Sequence, residues 1–420
     1  MSKEVAKPNL EMNTGDRRPP SLMATSRAAA GSILARLFHV NSLLVVFVPL
    51  GFVAHWAPWP DTIVTLCNVV AIMPLSARLS DASDTIGDRW GDLIGGLVNA
   101  TFGNTVELIV GVLAILRHEP RLAQSMMIGS ILSDILLVQG CCFITAARGT
   151  GVLNVNSAIA DTLSTLMIIT TMALVLPAAL YSTFNSKPGR GEGLSRMVVS
   201  FSRATAVVLL CVYVAYLYFQ LRTHSSIFVD EDDDDGNDEG IRDEDLRPSP
   251  SPSQSQAAAE QDVKTDRPSM SDVSLAAFTL VISGVIIAKC TANIMDSLDG
   301  TSRSLNISKT FIAIIVMPLA SNASELAQVV AASRNQKIDF AIGVIIGSIL
   351  QISLFVLPLL VVVGWVFRLP MDLYFEPSQT YILLLAVIMV NQVLQDKHYT
   401  FLHGALLISV YVVIMAAYFT

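Results

Sequence analysis

Residues 99–112 read NATFGNTVELIVGV, and residues 319–330 read LASNASELAQVV. Each apolar run places an asparagine three positions before a glutamate: Asn104 with Glu107, and Asn322 with Glu325. Further on, residues 127–138 read MIGSILSDILLV and residues 345–356 read IIGSILQISLFV. Glu107 lies 22 residues before Gly129, and Glu325 lies 22 residues before Gly347, so one offset of 218 maps both features onto their partners. A shared Gly-Ser-Ile-Leu is weak evidence in segments rich in Leu and Ile. The same tetrapeptide at a fixed distance from an Asn-x-x-Glu indicates an internal duplication.

The rest of the composition says what is duplicated. Apolar types make up 52% of the 420 residues and charged types 15%, well below the roughly 25% charged of a soluble domain. The apolar residues come in runs of about 18 to 25, enough to cross a bilayer as a helix. The expected fold is an all-α polytopic membrane protein of about eleven transmembrane helices. The spans fall near residues 41–56, 61–79, 93–116, 122–147, 158–180, 197–219, 273–295, 307–332, 340–367, 381–394 and 401–419, the second and tenth being the weakest. Spans two to six then match spans seven to eleven. Five is odd, so the copies are expected to sit as inverted repeats, with a site between them near the bilayer midplane.

The expected organisation is a disordered cytosolic tail (1–36), a first transmembrane helix (37–58), a first five-helix repeat (59–221), an acidic disordered cytosolic loop (222–270) and a second five-helix repeat (271–420). The net charge of −8 is local. Residues 230–267 hold fourteen acidic and four basic side chains, and such a stretch cannot bury enough apolar surface to fold. It lacks the spacing and turn glycine of an EF-hand. Lysine and arginine, counted partly in the long tail and the acidic gap, favour a cytosolic amino terminus. No cleavable signal peptide is expected. The five cysteines lie in apolar segments without metal-site spacing and read as small buried residues.

Positions three apart share a helix face, so each asparagine is expected about one turn from its glutamate. Ser130, Ser133, Ser348 and Gln351 on the following spans add neutral oxygens. The set is all oxygen, which suits a hard cation such as calcium. An ionised acid at a helix centre costs about 2.5 to 3.5 kcal/mol on insertion scales, and no basic residue lies within a helical turn of either glutamate. Burial and mutual repulsion oppose two bare carboxylates, so a proton or a cation must neutralise them in turn. That competition is antiport in its simplest form. The residues leave open whether the cation is calcium, manganese or a monovalent ion, and whether the chain is instead a transport-dead membrane sensor. An enzyme is disfavoured, because no nucleophile–base pair, metal-ligand cluster or phosphate loop stands out. No cofactor and no nucleic-acid partner is expected; the partners are the transported ion, protons and lipid.

The segments GGLVNATFGNTVELIV, GSILSDILLVQG, SKTFIAIIVMPL and KIDFAIGVIIGSILQISLFVLP resemble the calcium/proton exchanger family of fungal and plant vacuoles, within the calcium/cation antiporter superfamily. The likeness runs from about residue 43 to 419. It implies calcium as transported substrate, a vacuolar membrane, Glu107 and Glu325 as the exchanging carboxylates, and Asn104, Asn322, Ser130, Ser348 and Gln351 as ion-site neighbours. It further implies that Asp84 lines the cytosolic approach. The second repeat departs from the family pattern, Gly-Asn-Ala-Ala-Glu-His, by carrying Ser321 and Leu326 in place of the glycine and the histidine. Asp134 stands where the family usually has asparagine, a third acid beside the site.

Overall fold

The computed structural model describes residues 44–90, 95, 97–98, 101–150, 153–154, 157–185, 191–223, 268–395 and 398–419. The tail and most of the acidic loop expected from the sequence lie outside them. Among the described residues fifteen α-helices follow one another: α1 (Phe47–Trp56), α2 (Asp61–Trp90), α3 (Thr105–Leu116), α4 (Pro120–Leu132), α5 (Gln139–Thr150), α6 (Ser157–Asn185), α7 (Gly191–Tyr218), α8 (Met270–Leu305), α9 (Lys309–Phe311), α10 (Met317–Ser321), α11 (Ala323–Arg334), α12 (Ile338–Gln351), α13 (Leu357–Val366), α14 (Pro377–Gln395) and α15 (Phe401–Phe419). Short π-helical stretches join α4 to α5 (Ser133–Val138), α9 to α10 (Ile312–Val316) and α12 to α13 (Ile352–Val356).

The chain is an all-α polytopic membrane protein. Among the described residues, seven helical segments are long and apolar enough to cross a bilayer, and an eighth is the pair Lys309–Ser321 and Ala323–Arg334, bent by 51°. Phe47–Trp56, Thr105–Leu116 and Ser164–Leu180 are shorter apolar helices. The second and tenth segments, expected to be weakest, are full length. The third is the truncated one, because its helix restarts at Thr105. Leu66, Phe278, Val285, Val366, Leu385 and Val413 all point outward, as side chains in hydrocarbon must when helices satisfy their own backbone groups. Cysteine burial is uneven: Cys67, Cys142 and Cys290 are buried, whereas Cys141 is half-buried and Cys211 faces outward.

The offset of 218 recurs in the backbone. α3 and α11 are each 12 residues long and start 218 positions apart. Each ends on a left-handed residue, His118 at φ 61° and Gln336 at φ 63°. Both turns close alike, with Glu119 N–H donating to Ala114 O (2.8 Å) and Lys337 N–H to Ala332 O (3.1 Å). α4 and α12 follow, and each runs into a π-turn at the matching place.

α8 packs along α2 through a polar seam. Thr65 Oγ1 lies 2.7 Å from Ser297 Oγ and 2.8 Å from Thr301 Oγ1, while Asn293 donates to Asn68 Oδ1 at 3.3 Å. In a membrane such interhelical bonds are worth roughly 0.6 kcal/mol each. At one end of the bundle, Leu153–Asn154 pairs antiparallel with His398–Tyr399. The Tyr399 ring stacks on Phe143 with centroids 4.5 Å apart.

Candidate functional site

Both glutamates sit in the first turn of a helix that begins in mid-span. Asn104 precedes α3 with φ −106° and ψ 37°, outside helical geometry, and residues 103 and 104 form a turn. Asn322 is the joint between α10 and α11, where the 51° bend falls. This corrects the expectation of an asparagine and a glutamate on one continuous helix. The physical cause is local, since asparagine side chains compete with helical backbone bonds and Gly103 relaxes the chain before Asn104. The break has an electrostatic consequence. A helix amino terminus favours negative charge by about 0.3 to 1 kcal/mol, up to about 2 when partly buried. That offsets only part of the roughly 2.5 to 3.5 kcal/mol cost of an acid at this depth.

The two halves meet through reciprocal contacts. Ser130 Oγ lies 2.9 Å from Asn322 Oδ1, and the Asn322 amide donates to Ser130 O at 3.3 Å. In the mirrored pair, Ser348 Oγ lies 3.2 Å from Asn104 Oδ1, and the Asn104 amide reaches Ser348 O at 3.5 Å. Shifting every residue by 218 exchanges these pairs. Close helix packing permits this on the first side, where a Cβ at Gly129 would collide with the backbone of Ile314.

The carboxyls gather around this knot. Glu107 is 3% exposed, with Oε1 3.4 Å from Ser130 Oγ and the Ser321 hydroxyl nearby. Glu325 is half-buried; its Oε1 is covered and has no hydrogen-bond partner, and Ser348 lies beside the carboxyl. Asp134 is fully buried and within electrostatic reach of both glutamates. Among the described residues, no lysine or arginine forms an ion pair with Glu107 or Glu325.

The remaining expected residues fall into place unequally. Ser133 Oγ and Gln351 Nε2, again 218 apart, are both buried without a hydrogen-bond partner. Ser321 Oγ lies 3.2 Å from Asn322 Oδ1. Asp84 is apart from the knot: it sits on the last turns of α2, where Gln328 donates to its Oδ2 at 3.5 Å. Sequence reasoning missed two features. Asp134, expected as an accessory, instead bonds both Asn322 and Ser348. Tyr411 of α15 brings its buried hydroxyl next to Ser133 and Asp134, and no motif marks it.

Among the described residues, no three His, Cys, Asp or Glu side chains stand close enough to hold a metal ion by themselves. The oxygens that do converge here are carboxyl, amide and hydroxyl oxygens from both halves, a donor set suited to a hard cation.

Three comparisons bear on this geometry. The family described as sodium/calcium exchanger protein matches residues 61–222 and 275–420. The vacuolar calcium ion transporter of Schizosaccharomyces pombe is 35% identical over 378 residues, which cover 90% of this chain and 84% of that protein. Vacuolar cation/proton exchanger 3 of Oryza sativa subsp. japonica is 33% identical over 386 residues, covering 90% of this chain and 85% of its own. Among solved structures, native YfkE shares the fold with a TM-score of 0.70 at 22% identity, covering 90% of this chain and 99% of that one.

Proposed function

The chain belongs to the sodium/calcium exchanger protein family, and from that premise we propose that it is a calcium/proton antiporter of the vacuolar membrane. Cytosolic calcium moves into the lumen as protons move out. Glu107 and Glu325 are the exchanging carboxylates, and Asn104, Asn322, Ser130, Ser348 and Gln351 complete the oxygen shell. Asp84 lines the cytosolic approach, and Ser133 and Ser321 border the site. The amino terminus is cytosolic, eleven spans cross the membrane, and two inverted five-helix repeats rock about the site to expose it to each side in turn.

The observation that carries this reading is the reciprocal knot, Asn322 with Ser130 and Asn104 with Ser348. It brings the two glutamates into one electrostatic neighbourhood without a basic partner. A carboxyl so placed is neutralised by whichever cation arrives, and a proton and a calcium ion exclude each other there. The names of the relatives, a calcium ion transporter and a cation/proton exchanger, agree with that pair of substrates.

A second reading has one observation in its favour. Ser321 adds a hydroxyl against Asn322 Oδ1, which alters the oxygen shell and suits manganese or a monovalent cation on the same scaffold. Proton-gradient-driven uptake of radiolabelled calcium into vesicles containing the chain separates the two. Saturable uptake that a protonophore abolishes, and that Glu325→Gln loses, supports calcium exchange. Proton release driven by manganese, potassium or sodium but not by calcium favours the second reading.

A further inference from the structure

We propose that Asp134 is a positioning residue that sets the orientation of the Asn322 amide and makes the two halves of the ion site unequal. The inference rests on the exchange reading above but concerns a residue outside its ion shell. Asp134 lies on the π-turn Ser133–Val138 and is fully buried. Its Oδ1 accepts from Asn322 Nδ2 at 2.6 Å, and its Oδ2 accepts from Ser348 Oγ at 3.1 Å. Both partners belong to the second half of the chain, whereas Asp134 belongs to the first.

In this geometry both Asp134 oxygens accept, Oδ1 from the amide and Oδ2 from the hydroxyl, and an amide carbonyl cannot face an acceptor. Asn322 must therefore present its NH2 to Asp134 and its carbonyl to the opposite side. On that side Oδ1 stands 2.9 Å from Ser130 Oγ and 3.2 Å from Ser321 Oγ. Those hydroxyls can rotate, and when they do their protons leave the fixed carbonyl, so that its lone pairs and those of the hydroxyls are open to an arriving cation. The amide itself cannot turn without setting its carbonyl against Asp134 Oδ1 at 2.6 Å and the more distant Ser130 O at 3.3 Å, the first being the closer restraint. The second contact works similarly. Ser348 has one proton for two acceptors, Asp134 Oδ2 and Asn104 Oδ1; when it donates to the acid, the Asn104 carbonyl is left free for a cation.

Asn104 has no equivalent clamp. The residue 218 positions after Asp134 is Ile352, and among the described residues the Asn104 amide keeps only the 3.5 Å contact to Ser348 O, the counterpart of the Asn322 contact to Ser130 O. Two asparagines at equivalent positions are thus held differently, Asn322 in a fixed orientation and Asn104 in an adjustable one.

The test compares Asp134→Asn with Asp134→Glu in the full chain. An asparagine at position 134 offers either edge of its amide, so Asn322 can flip and turn its NH2 toward the ion. Loss of a residue that orients a metal ligand lowers metal affinity by about 10- to 100-fold. The expected result is a rise of that size in half-saturating calcium for proton-driven uptake, with a smaller fall in maximal rate. Asp134→Glu, which keeps two carboxyl oxygens for Asn322 and Ser348, stays closer to the wild-type chain. Equilibrium calcium binding to the purified protein gives a second reading of the same affinity. Unchanged affinity in Asp134→Asn overturns the proposal, as does a fall in maximal rate alone or equal behaviour of the two variants. If Asp134→Asn does not fold, Asp134→Ser carries the same expectation. Absence of uptake by a wild-type chain that binds calcium counts against the exchange reading and leaves the clamp to be judged by binding.

Discussion

The two Asn-x-x-Glu segments have the same backbone and different surroundings. Each asparagine interrupts a span, each glutamate starts a helix of 12 residues, and each helix ends on a left-handed residue. Yet Glu107 is sealed beside Ser130, whereas Glu325 is half-buried with an oxygen unpartnered. Asn322 is held by an acid and Asn104 is not. Backbone and side-chain environment have separated within one duplicated design. The backbone geometry is kept in both copies, while the surroundings of the acids differ: Glu107 has a serine hydroxyl against its Oε1 and Glu325 has a covered oxygen without a partner.

The most severe way to break that comparison is to neutralise each acid in turn. If both glutamates take part in exchange, Glu107→Gln and Glu325→Gln each reduce proton-driven calcium uptake by at least about 100-fold, since a charge-bearing ion ligand is lost outright. A glutamine fits either pocket, so correctly inserted protein is expected from both, checked by size-exclusion chromatography. Full uptake by either variant would mean that only one copy of the motif works, and the equivalence of the two would hold for the backbone alone.

Much of this was legible beforehand. The all-α membrane fold and the meeting of Asn104, Ser130, Asn322 and Ser348 at one offset of 218 followed from composition and spacing, because periodicity and offset report which faces can meet. The helix break at Asn104 did not, since three residues of spacing suits a continuous helix as well as a helix start. Gly103 followed by Asn104 was the available signal, a pair that marks turns, and the apolar run around it masked that signal. The bonds from Asp134 to Asn322 and Ser348 were not legible at all. They join residues 188 and 214 positions apart, and no local pattern encodes which helix faces a given π-turn. Tyr411 is hidden for the same reason.

A milder test sharpens the asymmetry. Ser130 donates to a neutral amide carbonyl at 2.9 Å and reaches the Glu107 carboxyl only at 3.4 Å, while Ser348 is shared between such a carbonyl at 3.2 Å and the Asp134 carboxyl at 3.1 Å. Hydrogen bonds to neutral partners contribute about 0.5 to 1.5 kcal/mol and those to charged groups about 1.5 to 3. Ser348→Ala should therefore lower the melting temperature of the detergent-solubilised protein more than Ser130→Ala does. Equal losses would argue that Asp134 draws nothing from Ser348 and that the two serines are as alike in energy as in sequence.

The smallest expected effect probes the part of the design that is shared. His118 and Gln336 are both exposed and both left-handed. A residue with a Cβ pays roughly 1 to 2 kcal/mol in that conformation, and glycine there removes the strain. Glycine also loosens the unfolded chain, which takes back about 0.4 to 1 kcal/mol. His118→Gly and Gln336→Gly should then each stabilise the protein by about 0.5 to 1 kcal/mol, with no change in calcium uptake, and by similar amounts because the two turns close with the same pair of backbone bonds. Opposite signs in thermal melts of the two variants would show that the turns are equivalent in shape only, with the loops around them imposing different loads. Matching shifts would place the division between the halves in the side chains around Asn104 and Asn322 and leave the backbone that carries them as one structure used twice.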